Sequence, residues 1–299
     1  MRHGVLILPE QRWRDARTRW TRAEEYGFDH AWTYDQLMWR WLRDKPWFGT
    51  VPTLTAAATA TTRIGLGTMV ATPTYRHPVP FAKEVMSLDD ISDGRFTCGL
   101  GAGAGAVDDL VVDPVERTPR ERADRFAEFV ELTDLLLRQR VTSYDGEHYR
   151  ADEVHMHPGC TTTPRTPFAI AATGPRGMRL AARYAQTWVT AGPPATFDAR
   201  PYELALPGVA AQVRMAEDAC VAAGRHPGSL RRLLLTGAAV GGVLDSVESW
   251  RDAAGRFAEI GITDLVVHWP RADFPYAGDE RVLEDIARDL TATSAGGRR

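Results

Sequence analysis

A short loop in the middle of the chain has the groups of an anion site. Thr173 supplies a hydroxyl, Arg176 supplies a guanidinium, and a helical pattern opens at Met178. The first backbone N–H groups of a helix have no partner inside it, so they attract negative charge. The loop therefore predicts a phosphate site, with an ordinary turn and a surface arginine as the alternative. The predicted site comprises Ala172, Thr173, Gly174, Pro175, Arg176 and Gly177.

Aromatic residues are concentrated in one segment near the N-terminus. The segment 36–49 contains Trp39, Trp41 and Trp47, and it directly follows a predicted strand. Such a segment favours an aromatic wall for a flat cofactor or an apolar substrate. The alternative is a hydrophobic plug that packs against the next helix.

The elements that position these residues alternate between strand-like and helix-like patterns. The predicted strands are short, rich in Val, Ile and Leu, and not alternating, as expected for parallel strands buried on both faces. Eight strand–helix units predict a single-domain α/β fold over 1–299, a (β/α)8 TIM barrel, with an insertion after helix four at 139–166 and a flexible tail at 292–299. The predicted strands are Gly4–Leu8, Phe28–Tyr34, Ile64–Ala71, Arg95–Gly99, Phe168–Ala172, Thr187–Thr190, Leu233–Val240 and Thr263–His268.

The main rival to the barrel is a doubly wound sheet. That fold requires a G-x-G-x-x-G turn after its first strand. Here the first strand ends in Leu-Pro-Glu-Gln, and the glycine-rich loop follows strand four. The barrel is therefore favoured.

Barrel enzymes place their sites at the carboxyl ends of the strands. That rule selects Asp35 after strand two, where a carboxylate can hydrogen-bond a ring or position a substrate. The alternative for Asp35 is a helix N-cap or turn residue. Tyr75 and Trp269 lie at two other strand ends, and with the three tryptophans they form the predicted substrate pocket.

Composition excludes several classes of function. The formal net charge is −3, so no basic surface favours nucleic acid. Three widely spaced cysteines lack the spacing of metal ligands, and no metal is expected. No apolar run approaches a membrane span, and the N-terminal apolar run is too short for a signal peptide. We expect a cytoplasmic protein that acts on a small molecule.

The segment from Ile64 to Gly105 also carries a family resemblance. Its L-G-T-x-V-x-T-P-T-Y-R-H-P, S-D-G-R-F and G-L-G-A-G motifs resemble the bacterial luciferase-like flavin and deazaflavin oxidoreductases. The resemblance implies a barrel that is usually a homodimer and that uses either reduced FMN with oxygen or coenzyme F420. The T-P-T-Y-R-H-P run is more similar to the F420 branch.

The resemblance also implies which residues contact the cofactor. It adds Asp35, Gln36, Met69, Val70, Ala102 and Gly103 to the phosphate loop, with a non-prolyl cis peptide at Met69–Val70. Many relatives have His where this chain has Gln36, and Glu where it has Ala104. Neither replacement can serve as an acid or a base, which disfavours a sugar-phosphate dehydrogenase.

Three other residues at the strand ends could supply a proton. They are Tyr75, His77 and His268. The alternatives are that His77 caps the following helix and that His268 packs the barrel mouth.

The leading hypothesis is an F420-dependent oxidoreductase that reduces an activated C=C or C=N bond of a secondary metabolite. The second is an FMNH2- and O2-dependent monooxygenase, and the third is a non-catalytic ligand-binding barrel. Either redox function would need a flavin or F420 reductase as partner to supply reduced cofactor.

Overall fold

The chain folds into a closed barrel of parallel strands surrounded by helices. The computed structural model describes residues 1–103, 111–112, 115–193 and 200–296. Its strands are β1 Arg2–Leu6, β2 His30–Thr33, β3 Gly65–Thr68, β4 Phe96–Leu100, β5 Val141–Asp145, β6 Arg150–His155, β7 Phe168–Ala171, β8 Thr187–Thr190, β9 Arg200–Pro201, β10 Arg231–Leu235, β11 Val240–Gly241 and β12 Asp264–His268. The barrel runs in the order β1-β12-β10-β8-β7-β4-β3-β2. The predicted (β/α)8 TIM barrel is confirmed.

A helix follows each barrel strand before the next one begins. The helices are α1 Trp13–Glu25, α2 Thr50–Ala60, α3 Pro78–Ile91, α4 Pro119–Arg138, α5 Pro175–Tyr184, α6 Tyr202–Ala222, α7 Val247–Glu259 and α8 Glu280–Gly296. The last helix extends to Gly296, so it continues into the range predicted as a flexible tail. In the described part of the chain, no helix has the length and apolar character needed to cross a membrane.

Local sequence explains where several helices begin. Thr118 and Glu121 form a reciprocal capping box at the start of α4, which satisfies two backbone N–H groups. Pro78 and Pro175 are the first residues of α3 and α5, where a missing N–H costs nothing.

In the barrel interior, large side chains pack against glycines on neighbouring strands. In the parallel register Gly67 lies opposite Trp32, and Gly4 lies opposite His30. A Cβ on Gly67 would lie 2.2 Å from a ring carbon of Trp32, and a Cβ on Gly4 would lie 2.1 Å from Nδ1 of His30. Side chains larger than hydrogen at positions 4 and 67 would therefore displace these buried rings.

A polar network closes the barrel at the amino ends of the strands, an end we call the floor. Trp32 Nε1 donates to Nδ1 of His30 at 2.7 Å, which leaves the proton of His30 on Nε2 to face Asp264 Oδ1 at 3.1 Å. Arg231 and Thr263 also donate to the carboxylate of Asp264. Burial would raise the pKa of Asp264, but these hydrogen bonds outweigh it and lower the pKa to about 2.

The insertion after α4 is an antiparallel hairpin of β5 and β6. Pairing extends to Asp145 and Arg150, so residues 146–149 form the turn. The Glu128 carboxylate on α4 accepts from the backbone N–H groups of His148 and Tyr149. These bonds fix the hairpin to the helix that precedes it.

Candidate active site at the carboxyl ends of the strands

Asp35 lies at the carboxyl end of β2 and binds the loop that follows β3. Its side chain is 1% exposed. Tyr75 donates to it at 2.6 Å, and Arg76 forms two hydrogen bonds to it at 2.6 and 2.8 Å. Burial would lower the pKa of Arg76, but Asp35 raises it above its usual value. Asp35 therefore positions this loop, and the Tyr75 hydroxyl is occupied by the same carboxylate.

The tryptophan segment packs onto an apolar cluster that fills the barrel interior up to the carboxyl ends of the strands. We call this set the mouth cluster: Leu6, Leu8, Trp32, Tyr34, Leu42, Met69, Ala169, Val189, Leu233, Leu235 and Val266. Trp39 and Trp47 pack against it, and the indole of Trp47 donates to the backbone carbonyl of Gln36 at 2.9 Å. The mouth cluster includes no residue of α2.

Two polar atoms beside the mouth cluster are buried without a hydrogen bond. They are Oε1 of Gln36 and Nε1 of Trp39, neither of which has a partner among the described residues. One is an acceptor and the other is a donor. Buried polar atoms in folded proteins are normally paired, so these two are suited to the polar edge of a bound ring.

The residues predicted behind the ring lie at the ends of β3 and β4. The Met69–Val70 peptide is cis, as the resemblance implies. Met69 is in the mouth cluster, and Val70 packs against it. A Cβ on Gly101 would lie 2.5 Å from Cγ2 of Val70, so a glycine is required for this approach. Gly103 has φ of +81°, which favours glycine there too.

Ala102, beside Gly103, does not pack against the mouth cluster. It packs against the larger apolar core that the strands form with the surrounding helices. Ala104, where the resemblance implies a lost Glu, is outside the described residues.

The predicted phosphate loop leads directly into α5. Gly174 precedes the helix with extended backbone, and a Cβ there would meet nothing within 4 Å. Ala172 is buried, and Thr173 is exposed. The Arg176 guanidinium donates to Asp124 on α4 at 2.7 Å. The open helix start therefore suits an anion, whereas Arg176 is engaged by a carboxylate.

Tertiary structure adds a hydrogen-bonded aromatic group that the sequence did not indicate. The Tyr34 hydroxyl lies 2.7 Å from Nε2 of His268 and 3.0 Å from the hydroxyl of Tyr276. The rings of His268 and Tyr276 stack with centroids 3.5 Å apart. Burial lowers the pKa of His268 to about 3 and raises that of Tyr276 to about 12, so both are neutral near pH 7.

Tyr276 was missed because it follows β12 by eight positions, in a loop with no recognisable motif. Its φ of +64°, uncommon for a residue other than glycine, turns the chain back over His268.

A cavity of about 700 Å³ opens beside this group. It lies between segment 236–245, which follows β10 and includes β11, and segment 270–282, which follows β12 and includes the start of α8. His268 and Tyr276 line it, as does Trp41, which also packs edge-on against Phe274. Of the three tryptophans in the aromatic segment, Trp41 is therefore the one that contacts the cavity.

Two predicted site residues lie elsewhere. Trp269 stacks on Tyr26, the C-cap of α1, and donates from Nε1 to Glu280 of α8 at 2.9 Å. Because successive residues of an extended chain face opposite sides, His268 points inward and Trp269 points outward. The prediction that Trp269 lines the substrate pocket is wrong.

His77 caps α3. Its Nδ1 accepts from the backbone N–H of Val79, and its ring packs edge-on against Tyr149. The capping alternative is confirmed, and no described contact connects His77 to the mouth cluster or the cavity.

Two curated relatives are similar over part of the chain. The F420-dependent hydroxymycolic acid dehydrogenase of Mycobacterium tuberculosis is 32% identical over 193 residues, which cover 62% of this chain and 51% of that protein. The F420-dependent glucose-6-phosphate dehydrogenase of Nakamurella multipartita is 34% identical over 180 residues, which cover 56% of this chain and 49% of that protein. The matches thus span about half the length of each relative.

Solved structures share the fold at lower identity. An F420-dependent secondary alcohol dehydrogenase, in complex with an F420-acetone adduct, has a TM-score of 0.77 at 19% identity and covers 97% of each chain. The coenzyme F420 dependent tetrahydromethanopterin reductase of Methanopyrus kandleri has a TM-score of 0.77 at 18% identity and covers 98% of this chain and 99% of that one. The luciferase-like monooxygenase family model matches residues 1–273, so the chain belongs to that family.

Proposed function

We propose that this protein is an F420-dependent oxidoreductase that transfers a hydride between the deazaflavin and a small organic substrate. The observation that carries the proposal is the pair of buried unpartnered atoms, Gln36 Oε1 and Trp39 Nε1, beside the mouth cluster. An acceptor and a donor next to an apolar surface match the chemistry of a flat heterocycle with polar edges. The F420-dependent names of the two sequence relatives support the choice of cofactor.

The residues near the mouth have distinct proposed roles in holding this cofactor. Gln36 and Trp39 would bind the polar edge of the ring, and Met69 and Val70 would support its face. The helix start at Gly174 would bind the phosphate, since free N–H groups and the helix dipole favour an anion. When bound, the cofactor supplies the hydride, and the protein supplies orientation and exclusion of water.

The side chains at the mouth favour reduction of an activated C=C or C=N bond. Oxidation of an alcohol needs a base to take the hydroxyl proton, and Gln36 cannot act as one. The buried His268 has a pKa near 3, which makes it a weak base at neutral pH.

We further propose a cytoplasmic homodimer that receives reduced F420 from a separate reductase. Light scattering tests the dimer.

Titration of the tryptophan fluorescence with oxidised F420 and, separately, with FMN tests the proposal. Trp39 and Trp47 lie beside the mouth cluster, so a ring bound there should quench them. We expect quenching at micromolar F420 and little at the same concentration of FMN. A preference for FMN would indicate an oxygen-using monooxygenase, and no response to either would indicate a non-catalytic barrel.

A further inference from the structure

The cavity beside His268 combines an apolar lining with two exposed carboxylates. Trp41, Phe274 and Val243 contribute apolar surface, and Asp245 and Asp279 contribute carboxylates. Neither carboxylate forms an ion pair in the part of the chain that the structure describes, although Asp279 accepts from the backbone N–H of Arg281. No lysine or arginine is among the described lining residues.

Two arginines contact this lining. Arg271 Nη1 donates to the backbone carbonyl of Pro275 at 3.1 Å, and the second arginine is Arg40. Its guanidinium stacks 4.2 Å from the ring centre of Trp41 and is not among the residues that line the cavity. Arg271 is paired with Glu10, so in the described part of the chain the two lining carboxylates outnumber the one unpaired guanidinium, and the balance of charge favours a cation.

The inner wall of the cavity does not offset this charge. His268 is 3% exposed, and burial keeps it neutral at physiological pH. Its Nδ1 faces Gly237 on the cavity wall and makes no hydrogen bond of normal geometry. Tyr276 is also neutral, and its hydroxyl is bonded to Tyr34. Because the two rings stack on each other and His268 is buried, a bound cation would meet the half-buried ring of Tyr276 on this side, whose face favours positive charge.

We infer that the cavity binds a ring-shaped cation, and specifically the protonated form of a cyclic imine as the substrate. This inference rests on the proposed function for the hydride step, and on the lining of the cavity for the charge of the ligand. The tryptophan segment connects the two regions, because Trp39 packs on the mouth cluster and contacts Trp41 edge-on with ring centroids 5.3 Å apart.

A cationic imine also accounts for the missing acid at the mouth. The iminium carbon accepts the hydride, the π electrons of the C=N bond become a lone pair on nitrogen, and a neutral amine results. One proton leaves to solvent as the reduced deazaflavin is oxidised, which balances atoms and charge. Since the substrate arrives already protonated, the hydride step needs no proton from a side chain, in agreement with Gln36 and Ala104.

The test compares three probes of similar size by isothermal titration calorimetry of the whole protein. They are the N-methyl-3,4-dihydroisoquinolinium cation, the neutral lactone 3,4-dihydroisocoumarin and the naphthalene-1-carboxylate anion. We expect the cation to bind at least tenfold more tightly than the lactone, and the anion to bind most weakly. Equal or reversed affinities, or failure of the cation to bind, would overturn the inference.

Variants connect the preference to the two carboxylates. The double variant Asp245→Asn and Asp279→Asn should remove the preference for the cation and change affinity for the lactone less than twofold. Asp273→Asn is the matched control. Like Asp245 and Asp279, Asp273 is an exposed carboxylate, and it lies in the same segment as Asp279 but does not line the cavity. Retention of the cation preference in the double variant would contradict the assignment.

The cofactor is tested separately, so the two proposals can fail independently. If F420 does not bind but the cation preference follows Asp245 and Asp279, the proposed function is wrong and the cavity assignment stands. If F420 binds and the cation does not, the cavity inference is wrong. If both bind, F420H2 should reduce the N-methyl iminium probe anaerobically. Absence of reduction would overturn the assignment of cyclic iminium ions as the substrate class.

Discussion

At the floor of the barrel, the Asp264 carboxylate accepts hydrogen bonds from His30, Arg231 and Thr263. At the mouth, Gln36 Oε1 and Trp39 Nε1 are buried without partners among the described residues. The same eight strands thus end in a polar network at one end and, at the other, lead into a segment with two unpaired buried atoms. Paired buried groups stabilise the barrel, whereas unpaired groups preserve a site for a ligand.

The largest expected effect is at the floor, on stability. Asp264→Ala removes a carboxylate that is 2% exposed, leaving the His30 Nε2–H and Arg231 without their shared acceptor. We expect the free energy of unfolding to fall by about 3 kcal/mol, within the range for breaking a buried ion pair. Urea denaturation measures it.

Asp273→Ala, at an exposed position, serves as the control and should change stability by less than about 0.5 kcal/mol. Similar losses in the two variants would show that the floor network contributes little, and the contrast with the mouth would fail.

The floor should also be sensitive to acid. The folded-state pKa of Asp264 is lowered to about 2 from a usual 3.8, so its contribution is fully present above about pH 4 and is lost as pH falls toward 2. The shift corresponds to about 2 kcal/mol. Urea denaturation of the wild type and of Asp264→Asn at pH 5, 4, 3 and 2 should give a difference in stability that shrinks toward pH 2. A difference in stability that does not change with pH would show that the lowered pKa of Asp264 is not the cause of the acid sensitivity.

The smallest free-energy change is expected at the mouth, on binding instead of stability. Gly174→Asp introduces a carboxylate into open space at the start of α5. Aspartate is a good N-cap, so the thermal midpoint should stay the same or rise. A bound phosphate would be repelled, and we expect F420 affinity to fall at least tenfold, which is about 1.4 kcal/mol.

Gly255→Asp is the matched control, because a Cβ on Gly255 would also meet nothing within 4 Å and this glycine lies on the exposed face of α7. It should leave F420 affinity unchanged. Unchanged affinity in Gly174→Asp as well would remove the phosphate from this loop.

Sequence patterns were sufficient to select several candidate residues at the mouth of the barrel. Strand-end positions selected Asp35, the predicted phosphate loop and His268, because parallel strands bring their carboxyl ends to one face. They could not separate inward from outward side chains at a strand end, which is why Trp269 was misplaced. The direction of a side chain there depends on the pleat and on what the outer helices cover, in this case Tyr26 and Glu280.

The sequence by itself determined the alternation of strands and helices, and thereby the barrel, because periodicity, glycines and prolines act within a few residues of the chain. Tertiary structure decided which distant groups meet. Asp264 meets His30 across 234 positions, and Tyr34 meets Tyr276 across 242. Such contacts depend on barrel closure, which joins β12 to β1, and no local pattern records that joining. The polar floor and the carboxylate-lined cavity are therefore properties of the closed barrel.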